Sequence, residues 1–221
     1  MGTYYDNSIV PDHLKRKFDV YDRIKKLSID MGSFDADVAD LKGAGIAGIV
    51  FHESGLVFLS GQGGGPGQMY DDPARIKEGA DAAEEIADSM IKRLHWGLTC
   101  GGEGGDLNDV IYMVKALGMV VSPGGGTTSA GPPVTNGFSF RWHSVFGGPR
   151  SDYAKDGVDP GGFAGIHARS AIGGFDGRFS IEPEIILAIP ATLAREIIGN
   201  RGWVFPLPPA MLDKVQPSRG G

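Results

Sequence analysis

Two neighbouring stretches decide how this chain is expected to fold: HARSAIG at residues 167–173 and FSIEPEIILAI at residues 179–189. The first is a short apolar segment that contains Arg169, and the second begins acidic and ends apolar. Because a glycine-rich turn lies between them, we predict two strands that pair as antiparallel neighbours. That pairing would bring the guanidinium of Arg169 close to Glu182 and Glu184 at one end of a sheet.

These residue types suit the binding of a small acid. The planar guanidinium of Arg169 can hold a substrate carboxylate through two parallel hydrogen bonds. A nearby glutamate can orient a water molecule or transfer a proton. From spacing alone, an exposed ion pair between Arg169 and Glu184 is the simpler interpretation, because such pairs are common and contribute little stability.

A third stretch, LVFLSGQ at residues 56–62, predicts a buried strand that ends in Ser-Gly-Gln. It is followed in order by a long helix, a strand opened by Asp109-Val110, a second helix, the Ala-Arg-Ser segment and a Glu-containing strand that ends in Ala-Ile. This ordered set covers about residues 46–190 and resembles the RidA family (YjgF/UK114) of reactive-intermediate deaminases. Each piece is short, so the specificity lies in their order.

The resemblance implies a fold and an assembly. The fold would be α+β, a chorismate-mutase-like (YjgF-like) mixed β-sheet with two helices packed on one face. The protein would be a homotrimer with clefts between subunits, which is physically reasonable because a sheet covered on one face needs a partner for the other. Residues 46–190 would form the RidA-like domain, residues 1–45 an N-terminal helical extension and residues 191–221 a C-terminal extension.

The resemblance also implies hydrolytic deamination of a small reactive imine or enamine that carries a carboxylate. Arg169 would bind the carboxylate, and Ser60 and Gly61 would line the cleft. A glutamate of the final strand would orient the water, and both Glu182 and Glu184 are candidates. No cofactor is implied, and no His/Cys/Asp/Glu group has the spacing of a metal site.

The register of the final strand stays open at the level of sequence. Glu182 and Glu184 are two residues apart, so both side chains should point to one side of an undistorted strand. Pro183 between them indicates an edge strand or a distortion. Alignment on Ala188-Ile189 instead would put Ile185 at the glutamate position.

Departures from the family pattern indicate an unusual substrate. Ala47 stands where many members have a tyrosine, and Ser170 and Ala171 follow the arginine where many have a cysteine. The long loop over residues 147–165 is expected to shape the pocket. We therefore expect a specialised substrate, such as a ring-derived enamine, imine or amide. A noncatalytic ligand-binding trimer and an endoribonuclease are the alternatives.

Composition limits the remaining possibilities. The 221 residues suffice for one domain with a core, and the net charge of -6 disfavours nonspecific binding to nucleic acid. The single cysteine, Cys100, excludes an internal disulfide and fits a cytoplasmic protein. No apolar run approaches the ~18 residues that span a bilayer, so no membrane association is expected.

Periodicity and capping signals predict the other elements. The clearest helix runs from Pro73 to about Leu98 after a capping Asp72. A helix is predicted over residues 11–29 with Arg16 on a solvated face, and others over 136–146 and 191–198, with a loop over 123–135. Predicted strands cover residues 46–51 and 109–121, and an extended tail covers 203–209.

Overall fold

The computed structural model describes residues 4–5, 8, 10–12, 15–33, 48–65, 72–99, 104–121, 130–155, 159–160, 167–171 and 181–205, with the backbone alone in 167–171. The α-helices in these ranges are α1 (Val20–Lys26), α2 (Pro73–Thr99), α3 (Gly131–Phe146) and α4 (Ala191–Arg201), and a short 3₁₀ helix covers Leu107–Asp109. The strands are β1 (Ile49–Phe51), β2 (Leu56–Leu59), β3 (Tyr112–Val121), β4 (His167–Ala171), β5 (Ile181–Ala188) and β6 (Val204–Phe205).

The six strands form one mixed sheet in the order β4-β3-β5-β2-β1-β6. β3 and β4 are parallel, and the other neighbours are antiparallel. β1 and β2 form the predicted hairpin, with Ile49 opposite Leu59. The prediction of an α+β fold with a mixed sheet is therefore confirmed.

The long helices bury an apolar layer against one face of this sheet. The residues of α2 that recur at helical spacing are buried: Ala83, Ala87, Met90, Ile91 and Leu94. On α3, Phe138 and Trp142 stack with ring centroids 5.5 Å apart and are fully buried. A Cβ at Gly137 would lie 2.1 Å from the carbonyl oxygen of Ala80, so the two helices approach at a distance that only glycine permits.

The predicted start of α2 is confirmed, because the Asp72 carboxylate accepts a hydrogen bond from the backbone N–H of Ala74 at 2.9 Å. Although α2 has 27 residues, neither it nor another helix in the described ranges is apolar enough to cross a membrane.

α3 begins five residues before the predicted start, at Gly131. The prolines at 132 and 133 are tolerated there, because first-turn N–H groups have no partner within the helix.

The N-terminal helix is much shorter than predicted. α1 begins at Val20, where the Asp19 carboxylate accepts from the backbone N–H of Tyr21 at 2.8 Å. Arg16 was predicted to be solvated but is buried, and it donates to the carbonyl oxygens of Asn108 and Val110. Burial lowers the pKa of Arg16 to about 10. The hydrogen bonds of Arg16 therefore tie the segment before α1 to the backbone around Asn108 and Val110.

The C-terminal elements extend the sheet. α4 covers the predicted 191–198 helix and continues to Arg201, and Gly202 follows it with φ of 87°. β6 then pairs with β1 through Val204 and Val50, so the start of the predicted extended tail is a strand. Residues 206–209 lie outside the described residues.

The predicted pairing of the two organising strands is wrong. β4 and β5 are not neighbours, because β3 lies between them and pairs with both. A parallel β3–β4 pair needs a crossover connection, and α3 lies between these strands in the chain. The predicted turn between the two strands, at residues 172–180, lies outside the described residues.

Pro183 lies in a central strand and not at an edge. β5 is flanked by β3 and β2, and Pro183 pairs with Gly118 of β3. The N–H of Ile181 points towards Gly64, so the position two residues later faces the same side. The ladder on that side stops at Leu59–Ile185 and resumes at Gly64–Ile181. The missing proline donor thus falls at an irregularity in the ladder.

The second face of the sheet carries exposed apolar side chains. Phe58 is 38% exposed, Tyr112 43% and Val114 43%. Ile186 and Val50 lie partly exposed on the same face. An apolar surface of this kind on a sheet typically marks an interaction site.

The contact between α2 and α3 gives a testable pH dependence. Arg141 lies 2.7 Å from Glu84 and 2.9 Å from Asp88, although the second pair is not aligned for a hydrogen bond. Burial, opposed by Arg141 and assisted by Glu84 and Glu85, raises the pKa of Asp88 to about 6. Between its unfolded and folded pKa values, the folded state retains a proton that the unfolded state has lost, so Asp88 lowers stability as the pH rises through this window.

We expect Asp88→Asn to remove this contribution. The free energy of unfolding of the variant, relative to that of the unmodified protein, should rise by about 1–2 kcal/mol between pH 4.5 and 7. This is less than a full two-unit pKa shift would give, because Asp88 is partly solvated. Urea denaturation at both pH values measures the difference. A constant difference across this range would contradict the prediction.

Candidate functional site

The Ser-Gly-Gln segment leaves the sheet at the end of β2. The backbone N–H of Ser60 donates to the carbonyl oxygen of Gly48 at 3.0 Å, and its hydroxyl lies 3.3 Å from the same oxygen. The side chain of Gln62 accepts a hydrogen bond from Arg93 of α2 at 2.9 Å. These contacts fix the segment beside the irregularity between β2 and β5.

Glu182 of β5 packs directly on this segment. A Cβ at Gly61 would lie 2.3 Å from Oε1 of Glu182, so a larger residue at position 61 would displace this side chain. Glu182 is half-buried, whereas Glu184 is exposed. Burial, and to a smaller extent the charge of Glu184, raises the pKa of Glu182 above its ordinary value. A carboxyl group tuned in this way is suited to proton transfer.

Ser60 and Glu184 line one depression on the second face of the sheet. Its volume is about 230 Å³, and Val50, Phe58 and Ile186 complete most of its wall. Glu182 packs against Gly61, which follows Ser60 in the chain, and it lies two residues from Glu184 on β5. The structure therefore brings together four predicted site residues: Ser60, Gly61, Glu182 and Glu184. The prediction that both glutamates point to one side of the strand is confirmed, because Glu182 and Glu184 both lie on the face opposite the helices.

The strand register places the backbone of Arg169 relative to the two glutamates. Arg169 pairs with Met119 of β3, which pairs on its other side with Glu182. Glu184 belongs to the row of Leu117 and His167. Arg169 and Glu182 thus share one cross-strand row, with Cα atoms roughly 10 Å apart. Ala47, the remaining predicted site residue, lies outside the described residues.

Arg93 is a site-supporting residue that the sequence interpretation missed. It lies at helical spacing from the buried residues Met90 and Gly97, where an apolar side chain is expected. A cation on an otherwise apolar stripe needs an acceptor, and Gln62 supplies it. The position of Arg93 on the buried face of α2 was the sequence signal that could have identified it.

The described residues contain no group of three or more His, Cys, Asp or Glu side chains placed to bind a metal ion. The groups at the site itself are the carboxylates of Glu182 and Glu184, the backbone and the Ser60 hydroxyl. These groups can orient water and accept or donate a proton.

No family model matches this chain, and no curated protein matches it. Solved structures do. The protein Atu1372 of Agrobacterium tumefaciens, of unknown function, is 18% identical with a TM-score of 0.53, covering 77% of this chain and 92% of that one. A "putative endoribonuclease" from Shewanella oneidensis MR-1 is 12% identical with a TM-score of 0.52, covering 78% of this chain and 100% of that one.

These similarities concern the fold. At 12–18% identity, the two solved structures have the same architecture as this chain without indicating a shared activity. The chain accordingly has an α+β fold that known proteins share.

Proposed function

We propose that the protein is a RidA-type hydrolytic deaminase that acts on a small imine or enamine carrying a carboxylate. The observation that supports this most is the cross-strand row that relates the backbone of Arg169 to Glu182, together with the contact between Glu182 and Gly61. The separation of roughly 10 Å between these two Cα atoms is compatible with a small substrate whose carboxylate is held by Arg169 and whose reacting carbon lies towards Glu182.

Each step of the reaction has a group to perform it. Arg169 holds the carboxylate and stays cationic, so its role is electrostatic positioning. Glu182 orients a water molecule and accepts its proton as the water oxygen adds to the carbon of the C=N bond, and Glu182 then gives this proton to the nitrogen. The carbinolamine then loses ammonia as its C–N bond breaks and the C=O bond forms. The net change is imine plus water to keto acid plus ammonia.

The register favours Glu182 over Glu184 for this role. Glu182 is half-buried and in the Arg169 row, whereas Glu184 is exposed beside an apolar depression. A carboxylate that orients water benefits from partial removal from solvent, because bulk water otherwise competes for its hydrogen bonds. Glu184 then acts on Glu182 through its charge.

The test is hydrolysis of imines produced in situ by an amino acid oxidase, followed as ammonia and keto acid above the spontaneous rate. A series with side chains from methyl to aromatic rings covers both ordinary and larger substrates. We expect acceleration for at least one carboxylate-bearing imine, and larger members should be preferred. No acceleration across the series would overturn the proposal. RNA cleavage without imine hydrolysis would favour the endoribonuclease alternative.

The second face of the sheet supports a homotrimer as part of the same proposal. Phe58 and Ile186 lie on that face beside the candidate site, so a second subunit there would cover the depression and could complete a cleft. A mass in solution of about three times the 23.3 kDa chain is expected.

We expect Phe58→Arg to yield monomers, because a charge in a buried interface is costly. Sedimentation or light scattering measures the mass. Phe140→Arg is the matched control, since Phe140 is also exposed, at 47%, but lies on α3 on the helical side. An unchanged mass for Phe58→Arg would remove this face from the assembly.

A further inference from the structure

A second depression lies in the helical layer and is separate from the candidate site. Its volume is about 530 Å³, within the ~300–1,000 Å³ range of small-molecule pockets. Its walls come from α2, α3 and the loop after α3: Glu84, Phe140, Arg141, Pro149, Arg150, Ser151, Asp152 and Ala154. Since no strand residue lines it, it does not belong to the site on the second face of the sheet.

The loop that forms one wall is held in place by hydrogen bonds to α3. The backbone N–H of Asp152 donates to Oγ of Ser144 at 2.9 Å, and that of Arg150 donates to Nδ1 of His143 at 3.2 Å. Gly148 has φ of +147°, and a Cβ there would lie 2.7 Å from the ring of His143. The wall is therefore preformed, which lowers the cost of binding a ligand.

The charges in this depression fall into two groups. Arg141 is already matched by Glu84 and Asp88 at 2.7 and 2.9 Å. Arg150 and Asp152, by contrast, make no ion pair with any residue that the structure describes. The depression thus offers one unmatched guanidinium and one unmatched carboxylate, two residues apart on the same loop.

An apolar surface accompanies this pair of charges. Phe140 is 47% exposed, and the guanidinium carbon of Arg150 lies 6.0 Å from its ring centroid. The cation–π attraction at this distance holds the Arg150 side chain near the ring without neutralising its charge. The ring face remains partly open to an apolar group of a ligand.

We propose that this depression binds a free α-amino acid with an apolar side chain. The ligand carboxylate pairs with Arg150, its ammonium group with Asp152, and its side chain packs on Phe140. A simple anion would meet the carboxylates of Glu84 and Asp152, and a simple cation would leave Arg150 unmatched. A zwitterion satisfies both charges at once. This site goes beyond the proposed deaminase function and does not depend on it.

Calorimetric titration with L-leucine and L-phenylalanine tests the site. Leucinamide lacks the carboxylate and N-acetylleucine lacks the ammonium group, so each should bind roughly tenfold more weakly than leucine. Arg150→Gln and Asp152→Asn should each weaken leucine binding by a similar factor. Arg75→Gln makes the same charge change at an exposed residue of α2 outside the depression, and it should leave binding unchanged.

Three results would overturn the proposal: no binding of either amino acid at millimolar concentration, equal binding of leucine and its two derivatives, or leucine binding that Arg150→Gln leaves intact. None of them bears on the deaminase, because Arg150 and Asp152 lie outside the sheet site. The sequence predicts that the loop over residues 147–165 shapes the substrate pocket, but its stretch from Pro149 to Ala154 lines the depression in the helical layer and does not line the one beside Glu184. We therefore expect both variants to retain the imine hydrolysis of the unmodified protein.

Discussion

Replacing Arg23 by alanine is expected to destabilise the fold by about 3–5 kcal/mol, the typical cost of breaking a buried ion pair. Both guanidinium amino groups of Arg23 bind Asp159, at 2.6 and 2.9 Å, and the two side chains are 9% and 4% exposed. The guanidinium also donates to the carbonyl oxygen of Ser144 at 3.3 Å and lies over the rings of Phe18 and Tyr153. Alanine would leave the Asp159 carboxylate buried without a partner.

Urea denaturation of three variants separates the ion pair from simple packing. Asp159→Ala should cost about as much as Arg23→Ala, because it leaves the cation unmatched. The double variant Arg23→Met/Asp159→Leu should recover most of the loss, since apolar groups of similar volume leave no buried charge. Lys77→Ala breaks an exposed pair with Asp81 and serves as the matched control, with no measurable change. A loss below about 1 kcal/mol for Arg23→Ala would contradict the expectation.

The elements that sequence predicted well are those with a strong local signal. α2 has a helical apolar stripe and a capping aspartate, and both ends fall within about one residue of the prediction. The β1–β2 hairpin follows from two apolar runs and a short turn. In both cases the residues that define the element also lie next to each other in the chain.

The features that sequence missed depend on residues far apart in the chain. The Arg23–Asp159 pair joins residues separated by 136 positions, so the local sequence around one residue does not indicate the other as its partner. Arg16 is buried because the carbonyl oxygens of Asn108 and Val110, within and directly after the short 3₁₀ helix at Leu107–Asp109, accept its hydrogen bonds. Charged residues near a predicted helix are normally solvated, so the sequence interpretation favoured the wrong face.

Strand order was the main error at the candidate site. Alternation of apolar residues predicts which face of β5 is buried, and that part is confirmed. It does not predict which strand lies beside it, because chain neighbours are not always sheet neighbours. The insertion of β3 between β4 and β5 therefore had to come from the structure, and with it the register that distinguishes Glu182 from Glu184.

Replacing Glu182 by glutamine is expected to lower kcat for imine hydrolysis by about 10²–10⁴-fold, the range for loss of a positioned acid–base group. Glu184→Gln is the matched control, since it makes the same change two residues away on the same face. It should lower kcat less than tenfold. Arg169→Lys keeps the charge but loses the planar fork, so we expect it chiefly to raise KM.

The pH profile distinguishes a chemical role of Glu182 from a structural one. Burial and the charge of Glu184 raise the pKa of Glu182, so kcat/KM should fall on the acid side as this carboxylate gains a proton. Glu184→Gln removes one of the two causes and lowers that pKa, so the acid limb should move to lower pH. A purely structural contact with Gly61 would leave the limb in place. An acid limb that Glu184→Gln does not move, or a larger loss of kcat in Glu184→Gln than in Glu182→Gln, would contradict the assignment made from the register.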